Sequence, residues 1–209
     1  MLFSSFFNLW LGLVWRVALD APVPVDDTAA GDDDAVAMSR LARGDEQALQ
    51  QLFDRWKLPL LNYFCRSLGS QAEAEDLTLE VFVRLHRAAG DYRPTAKFST
   101  FLFLIARNLL RNELRRRRRK PAVPTAPDMF DTLAADTAVE ARRLAELEEV
   151  FQLALTRLPE KYRTALLLLL QQRMDYAEAA AVLRITENAL RVLVHRGRQL
   201  LKTAMEDSV

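Results

Sequence analysis

Apolar residues recur along most of this chain at intervals of three and four, the spacing that lines up one face of an α-helix. From Asp45 to Leu68 the stripe is Ala48, Leu52, Phe53, Trp56, Leu60, Tyr63 and Phe64, with Pro59 expected to bend the helix. From Gln71 to Ala89 it is Leu77, Val81, Phe82 and Leu85. From Lys97 to about Arg118 it is Phe98, Phe101, Leu102, Ile105 and Leu109. A short helix opening on Asp32-Asp33-Asp34 and ending near Arg43 precedes these, its acids suited to a helix N-terminus. Later, Leu144, Leu147, Val150, Phe151 and Leu155 mark a helix that stops before Leu158-Pro159. Glu160 to Gln171 forms another, dominated by Leu166 to Leu170. No alternating run of Val, Ile and Thr suggests a strand. The pattern predicts an all-α fold.

The last periodic stretch, Asp175 to Met205, reads as a short helix, a three-residue turn and a longer helix. Asp175 and Glu178 have capping-box spacing, and Thr186 is a good N-cap for the second helix. Ala179, Val182 and Leu183 face inward from the first helix. Leu190, Leu193, Val194, Gly197, Leu200 and Leu201 do so from the second. Asn188, Arg191, His195, Arg198 and Lys202 advance by three and four along another face, giving a polar, mostly basic stripe. Apolar behind and basic in front, this is the pattern of a helix-turn-helix that enters the DNA major groove. Many solvated helix pairs share it, so the motif needs support from the rest of the chain. Arg184 stands in the turn where Gly is common, and a left-handed conformation there costs of order 1 kcal/mol.

Gly and Pro divide the chain. Gly69-Ser70 ends one helix and Gly90 to Pro94 forms a loop. Pro121, Pro124 and Pro127, followed by small and acidic residues, make a flexible linker over 120–136. Two small helical domains result, 32–119 and 137–209, the second carrying the helix-turn-helix. Residues 1–31 combine an apolar extension with an acidic linker. Leu2 to Leu19 is slightly short for a spanning helix and lacks the basic start and cleavage site of a signal peptide. An N-terminal extension is the preferred reading of it; membrane contact through residues 1–20 and packing on a partner are the alternatives.

The 209 residues carry a net charge of +1, an average that hides segregation. Asp20 to Asp34 holds six Asp and no base, whereas Arg107 to Lys120 holds eight bases and one acid, Glu113. Arg107 and Arg111, with Asn108 and Asn112 beside them, extend the run Arg115 to Lys120 backwards by helical turns. A continuous strip of this kind suits a phosphate backbone. The single Cys65 excludes an intramolecular disulfide and suggests a reducing compartment, the cytoplasm. With one Cys and two distant His, no metal-ligand cluster is expected, and no cofactor. Asp76 and Glu80 share a helix face, but no nucleophile–base pair or phosphate-binding Gly loop accompanies them, which argues against an enzyme.

The order of these parts resembles a bacterial sigma factor of the sigma-70 family, in its minimal extracytoplasmic-function (ECF) form, over Asp32 to Met205. Ala74-Glu75-Asp76-Leu77-Thr78-Leu79-Glu80-Val81-Phe82 is similar to the family's A-E-D-L-x-Q-E-x-F. Phe98-Ser99-Thr100-Phe101-Leu102 and Ile105-Ala106-Arg107-Asn108-Leu109 are similar to F-x-x-W-L and I-A-R-N-x. Leu158-Pro159-Glu160-Lys161-Tyr162-Arg163 resembles L-P-x-x-x-R. The departures are Leu79 for Gln, Phe101 for Trp, Arg184 for the turn Gly, and Val192 and Val194 at often polar positions.

The resemblance implies a subunit that binds core RNA polymerase, directs it to specific promoters and helps open the −10 DNA. Glu75, Asp76, Leu79, Glu80 and Phe82 would dock on the polymerase clamp. Tyr92, Arg93, Lys97, Phe98, Arg107, Asn108 and Arg111 would engage the −10 element, where opening needs a stacking surface for an extruded base and cations for the freed strand. Glu187, Asn188, Arg191, His195, Arg196 and Arg198 would read the −35 element. An anti-sigma factor is a further implied partner. Two rivals remain: a stand-alone helix-turn-helix regulator, which would bind specific DNA without polymerase, and a membrane-tethered interaction protein built on the first 20 residues.

Overall fold

The structure, a computed structural model, describes residues 30–119 and 138–207, with side chains described over 33–119 and 146–207. Leu2 to Leu19, the 120–136 linker and the side chain of Leu144 lie outside what is described. Among those described, every regular element is helical: α1 (Ala30–Leu41), α2 (Glu46–Leu68), α3 (Gln71–Ala88), α4 (Phe98–Arg119), α5 (Ala138–Arg157), α6 (Glu160–Leu170), α7 (Tyr176–Leu183) and α8 (Glu187–Glu206). A 3-10 turn, Ala89–Asp91, opens the loop that leads to α4.

Local chemistry sets the boundaries. Asp45 caps α2 by accepting from the Gln47 backbone N–H at 3.0 Å. The helix runs on through Pro59 and ends at Gly69, whose φ of 68° is a conformation that glycine adopts without a Cβ penalty. Ser70 then caps α3. Pro159 stands at the N-cap of α6. Three residues into that helix, Arg163, only 6% exposed, turns back to donate to the carbonyls of Leu155 and Thr156 at 3.4 and 3.1 Å. The Leu155 carbonyl also accepts from the Leu158 N–H at 3.1 Å, so the Arg of the Leu-Pro-x-x-x-Arg motif helps close the helix before it. Burial lowers the Arg163 pKa from its ordinary value.

In the first half α1, α3 and α4 pack around α2 over an aromatic core. The Trp56 ring lies 5.9 Å from Phe98 and 6.2 Å from Phe103, and Tyr63 meets Phe103 edge-on at 5.5 Å. Helix α1 is held onto this core by one buried carboxylate. Asp34, 2% exposed, accepts from the Trp56 indole at 3.0 Å and pairs with Arg55. In the second half α5, α6 and α7 pack on α8.

The two halves also pack on each other, and their buried residues form one contiguous cluster. Gln152 of α5 donates to the carbonyls of Cys65 and Arg66 at 3.3 Å, and Gln172 donates to that of Pro59 at 3.4 Å. Arg66 pairs with Glu148 and lies 5.5 Å over the Phe151 ring. Burial pushes the Cys65 thiol up to about 11, which keeps it protonated at neutral pH.

Burial outweighs the Trp56 and Arg55 contacts at Asp34 and raises its pKa above 3.8. Ionising it therefore removes stability as pH rises from 3.8 through that raised value. Asp34→Asn keeps an acceptor for Trp56 and removes this ionisation, so it should unfold in urea within about 1 kcal/mol of the parent and with less pH dependence. Asp34→Ala leaves the indole N–H unpartnered and should cost about 1–3 kcal/mol.

Candidate nucleic-acid interface

The turn between α7 and α8 is built from capping groups. Asp175 accepts from Glu178 N–H at 2.8 Å, and the Glu178 side chain accepts from Asp175 N–H at 3.1 Å, the reciprocal pair expected from their spacing. Arg184 ends α7 at φ 54°, ψ 47°, the left-handed conformation that its place in the turn required. Thr186 then caps α8 through the Ala189 N–H at 3.3 Å. A second left-handed residue, Arg173 at φ 51°, lies in the loop before α7 and carried no sequence signal.

Helix α8 buries Leu190, Val194, Gly197, Leu201 and Met205. A Cβ on Gly197 would stand 3.3 Å from Leu166 and from Tyr162, so the bare backbone lets α8 lie close on α6. Glu187, Asn188, Arg191, His195, Arg196 and Arg198 are all exposed on the outer side. The Arg191 guanidinium lies 4.5 Å over the Tyr176 ring and 3.8 Å from Glu187, which holds it in place at the start of the helix. Leu200, expected in the core, is 42% exposed. Val194 belongs to the buried seam, whereas Val192 is 51% exposed, with Asn188, His195 and Arg196 on the adjacent turns.

On α3, Glu75, Asp76 and Leu79 face solvent, Leu79 at 56% exposure, and Glu80 pairs with Arg84 at 2.8 Å. Phe82 does not join them. It is 5% exposed, with its ring 4.8 Å from that of Phe53 and tilted to it, so its place is in the core and not on a docking face. Val83, 42% exposed and four residues after Leu79, takes the outward position instead. Helical spacing from Leu79 would have pointed to it. Thr78, grouped with the acids in the sequence, is buried and bonds back to the Ala74 carbonyl.

The residues expected at the −10 DNA divide into three sets. Arg93 and Asn108 are exposed. Phe98 is 1% exposed and packed on Trp56, which corrects its reading as a stacking surface; half-buried Tyr92 leans on Phe98 and on Phe101, 5.0 Å away. Lys97, Arg107 and Arg111 turn towards the second half of the chain. Lys97 Nζ lies 2.6 Å from Glu178, Arg107 donates to the Val182 carbonyl at 3.3 Å, and Arg111 sits 3.7 Å from Glu160. Burial, and then Arg111 beside it, lowers the Arg107 pKa from its ordinary value. The Arg-rich end of α4 is also less continuous than its sequence suggests. Arg116 bonds Glu113 at 2.7 Å, and Arg117 pairs with Glu73 and donates to the Leu68 carbonyl at 3.0 Å.

Residues 52–120 match the family Sigma-70 region 2, and residues 148–201 match Sigma-70, region 4. The chain is 31% identical to the ECF RNA polymerase sigma factor EcfG of Rhodopseudomonas palustris, over 71% of this chain and 80% of that one. It is 30% identical to the ECF sigma factor SigM of Mycobacterium tuberculosis, over 80% and 82% respectively. The chain belongs to the sigma-70 family, as a sigma factor of the ECF type. The ECF sigma factor SigW of Bacillus subtilis is 28% identical across 81% of this chain and 95% of its own. Among solved structures, CnrH in complex with the cytosolic domain of CnrY superposes with a TM-score of 0.62 at 25% identity, covering 85% of this sigma factor and 99% of CnrH. RpoE of Bartonella quintana, solved with the anti-sigma factor NepR, shares the fold at a TM-score of 0.63 and 18% identity, over 75% and 96% of the two chains. A sigma factor binds core RNA polymerase and directs it to promoters, and that is the work of this chain.

Arg184→Gly removes the Cβ from a left-handed position and should stabilise the sigma factor by about 1 kcal/mol, read as a higher urea midpoint at unchanged slope. An unchanged or lower midpoint would show that the Arg184 side chain supplies compensating contacts.

Proposed function

We propose that residues 32–119 hold the polymerase-docking and −10 functions of this sigma factor, that 120–136 is the linker, and that 137–209 reads the −35 element. The observation that carries the division is the two-sidedness of α8: a buried apolar seam on α6, and an outer face bearing Asn188, Arg191, His195, Arg196 and Arg198. Arg191 and Asn188, in the first turns, meet base edges in the major groove, and the bases further along set register on phosphates. Glu75, Asp76, Leu79, Glu80 and Val83 form the face of α3 that docks on the polymerase clamp, with an apolar centre of Leu79 and Val83 inside an acidic rim. Lys97, Arg107 and Arg111 hold the −10 strand phosphates, and Tyr92, Arg93 and Asn108 meet its bases.

The protein acts as a binding subunit and not as an enzyme. Among the described residues no helix is long and apolar enough to cross a membrane. Its place of work is the cytoplasm, where polymerase and promoters are. The complex of its structural relative CnrH with the CnrY cytosolic domain supports a comparable anti-sigma partner here.

Leu79→Asp with Val83→Asp should weaken core polymerase binding at least about tenfold, the cost of placing two charges in a desolvated contact, while leaving thermal unfolding unchanged. Asn188→Ala with Arg191→Ala should leave that binding intact and reduce promoter-dependent transcription by about 5- to 150-fold, as loss of a bidentate base contact predicts. Equal transcription by the second variant and the parent would remove α8 from the −35 assignment.

A further inference from the structure

One cleft of the molecule collects cations that no −10 or −35 contact proposed above uses. It lies where the end of α4 meets the junction of α5 and α6 and has a volume of about 480 Å³. Four guanidiniums line it, Arg117, Arg118, Arg157 and Arg163, against one carboxylate, Glu160. Leu114, Arg117 and Arg118 stand at i, i+3 and i+4, so one face of α4 brings an apolar residue and two cations to it. Arg117 is fixed by Glu73 and by the Leu68 carbonyl. Arg118 is exposed and makes no ion pair among the described residues. Arg163 is the deep member. It is 6% exposed, and its Nη1 donates only to the neutral carbonyls of Leu155 and Thr156. Its Nε is buried without a hydrogen-bond partner. Among the described residues no carboxylate forms an ion pair with it; Glu160 acts on it at longer range and lies 3.7 Å from Arg111. Burial lowers the pKa of both Arg163 and Arg117, and Arg117 lowers that of Arg163 further. Buried charges are as a rule paired, because neutral acceptors offset only part of the desolvation.

We propose that this cleft binds a small polyphosphate anion, either a nucleoside di- or triphosphate or the inorganic chain alone, through Arg117, Arg118 and Arg163. Planar guanidinium forks match phosphate oxygens bidentately, and α4 and α6 bring three of them to one cleft. A singly charged anion would leave most of that charge unanswered, whereas linked phosphates answer it together. The volume falls among those of small-molecule sites, roughly 300–1,000 Å³. Leu114, Leu158 and Pro159 give the lining an apolar part that suits the face of a nucleobase. The depth of Arg163 favours a small ligand over a nucleic-acid backbone, since a duplex lying across the surface does not reach a side chain only 6% exposed. The ligand draws on α4 and α6 at once, so it stabilises the folded chain by linkage.

Isothermal titration calorimetry of the full-length protein with pyrophosphate, ADP and ATP tests this. Saturable one-to-one binding is expected, with a higher melting temperature at saturating ligand. Arg118→Glu, at an exposed side chain, should weaken each Kd at least about tenfold and abolish the thermal shift. A control, Arg43→Glu at the exposed end of α1, makes the same change in net charge and should leave each Kd within about twofold. Arg163→Gln removes the buried cation and should weaken binding by a similar factor; if its melting curve shows that it does not fold, Arg118→Glu decides alone. Pyrophosphate and ADP carry the same number of phosphates and separate the two sources. Tighter binding of ADP assigns the site to a nucleotide, and equal or tighter binding of pyrophosphate assigns it to the phosphate chain. No saturation by any of the three up to about 1 mM overturns the inference. So does a stoichiometry well above one, the mark of scattered contacts with surface arginines. Equal losses in Arg118→Glu and Arg43→Glu, or a folded Arg118→Glu or Arg163→Gln that binds as the parent does, overturn it as well.

Discussion

The arrangement of this sigma factor depends on one helix, α4, having two different faces satisfied at once. Phe98, Leu102, Phe103, Ala106, Leu109 and Leu110 are buried and complete the core of the first half. Arg107 and Arg111 leave the same helix on another side and end on oxygens of α6 and α7. The apolar face cannot release α4 without exposing several large side chains, a loss of roughly 1.5–3 kcal/mol for each. The cationic face can, because each of its contacts is polar, replaceable by water or phosphate and individually weak. The two halves thus meet through these polar links as well as through the buried cluster they share.

Charge explains why the total of +1 says little about what the chain binds. Arg116 and Arg117 are matched by Glu73 and Glu113, Lys97 by Glu178, Arg111 by Glu160, and Arg66 by Glu148. Much of the basic character written into α4 is neutralised inside the molecule. The outer face of α8 is less compensated at its start, where the ring of Tyr176 as well as the carboxylate of Glu187 supports Arg191. Of the two basic surfaces, the helix-turn-helix is the one displayed.

Much of this was legible before any coordinates, because caps and turns act over a few residues. Asp175 with Glu178, Thr186 and the left-handed Arg184 all do what their positions predicted. The helix-turn-helix followed from them, and the all-α architecture from the apolar spacing along the chain. Side-chain direction was harder. Spacing put Phe82 in the apolar stripe while the family resemblance offered it as a docking residue, and packing on Phe53 decides for the stripe and leaves its neighbour Val83 outside. Phe98 likewise had two readings, apolar stripe and stacking surface, and packing on Trp56 decides for the first. The contacts between the halves were not readable. Lys97 and Glu178 belong to different halves, and nothing near either residue announces the other.

The account stands or falls on promoter-directed transcription. Purified core RNA polymerase should be given a pool of genomic fragments with and without this protein, and run-off products mapped. The account predicts new, protein-dependent start sites preceded by two shared sequence elements at fixed spacing, lost when Asp76→Arg reverses the charge of the α3 docking face. If polymerase gains no start sites while the protein alone shifts specific fragments, it is a stand-alone DNA-binding regulator, and the exposed acidic and apolar face of α3 serves another partner.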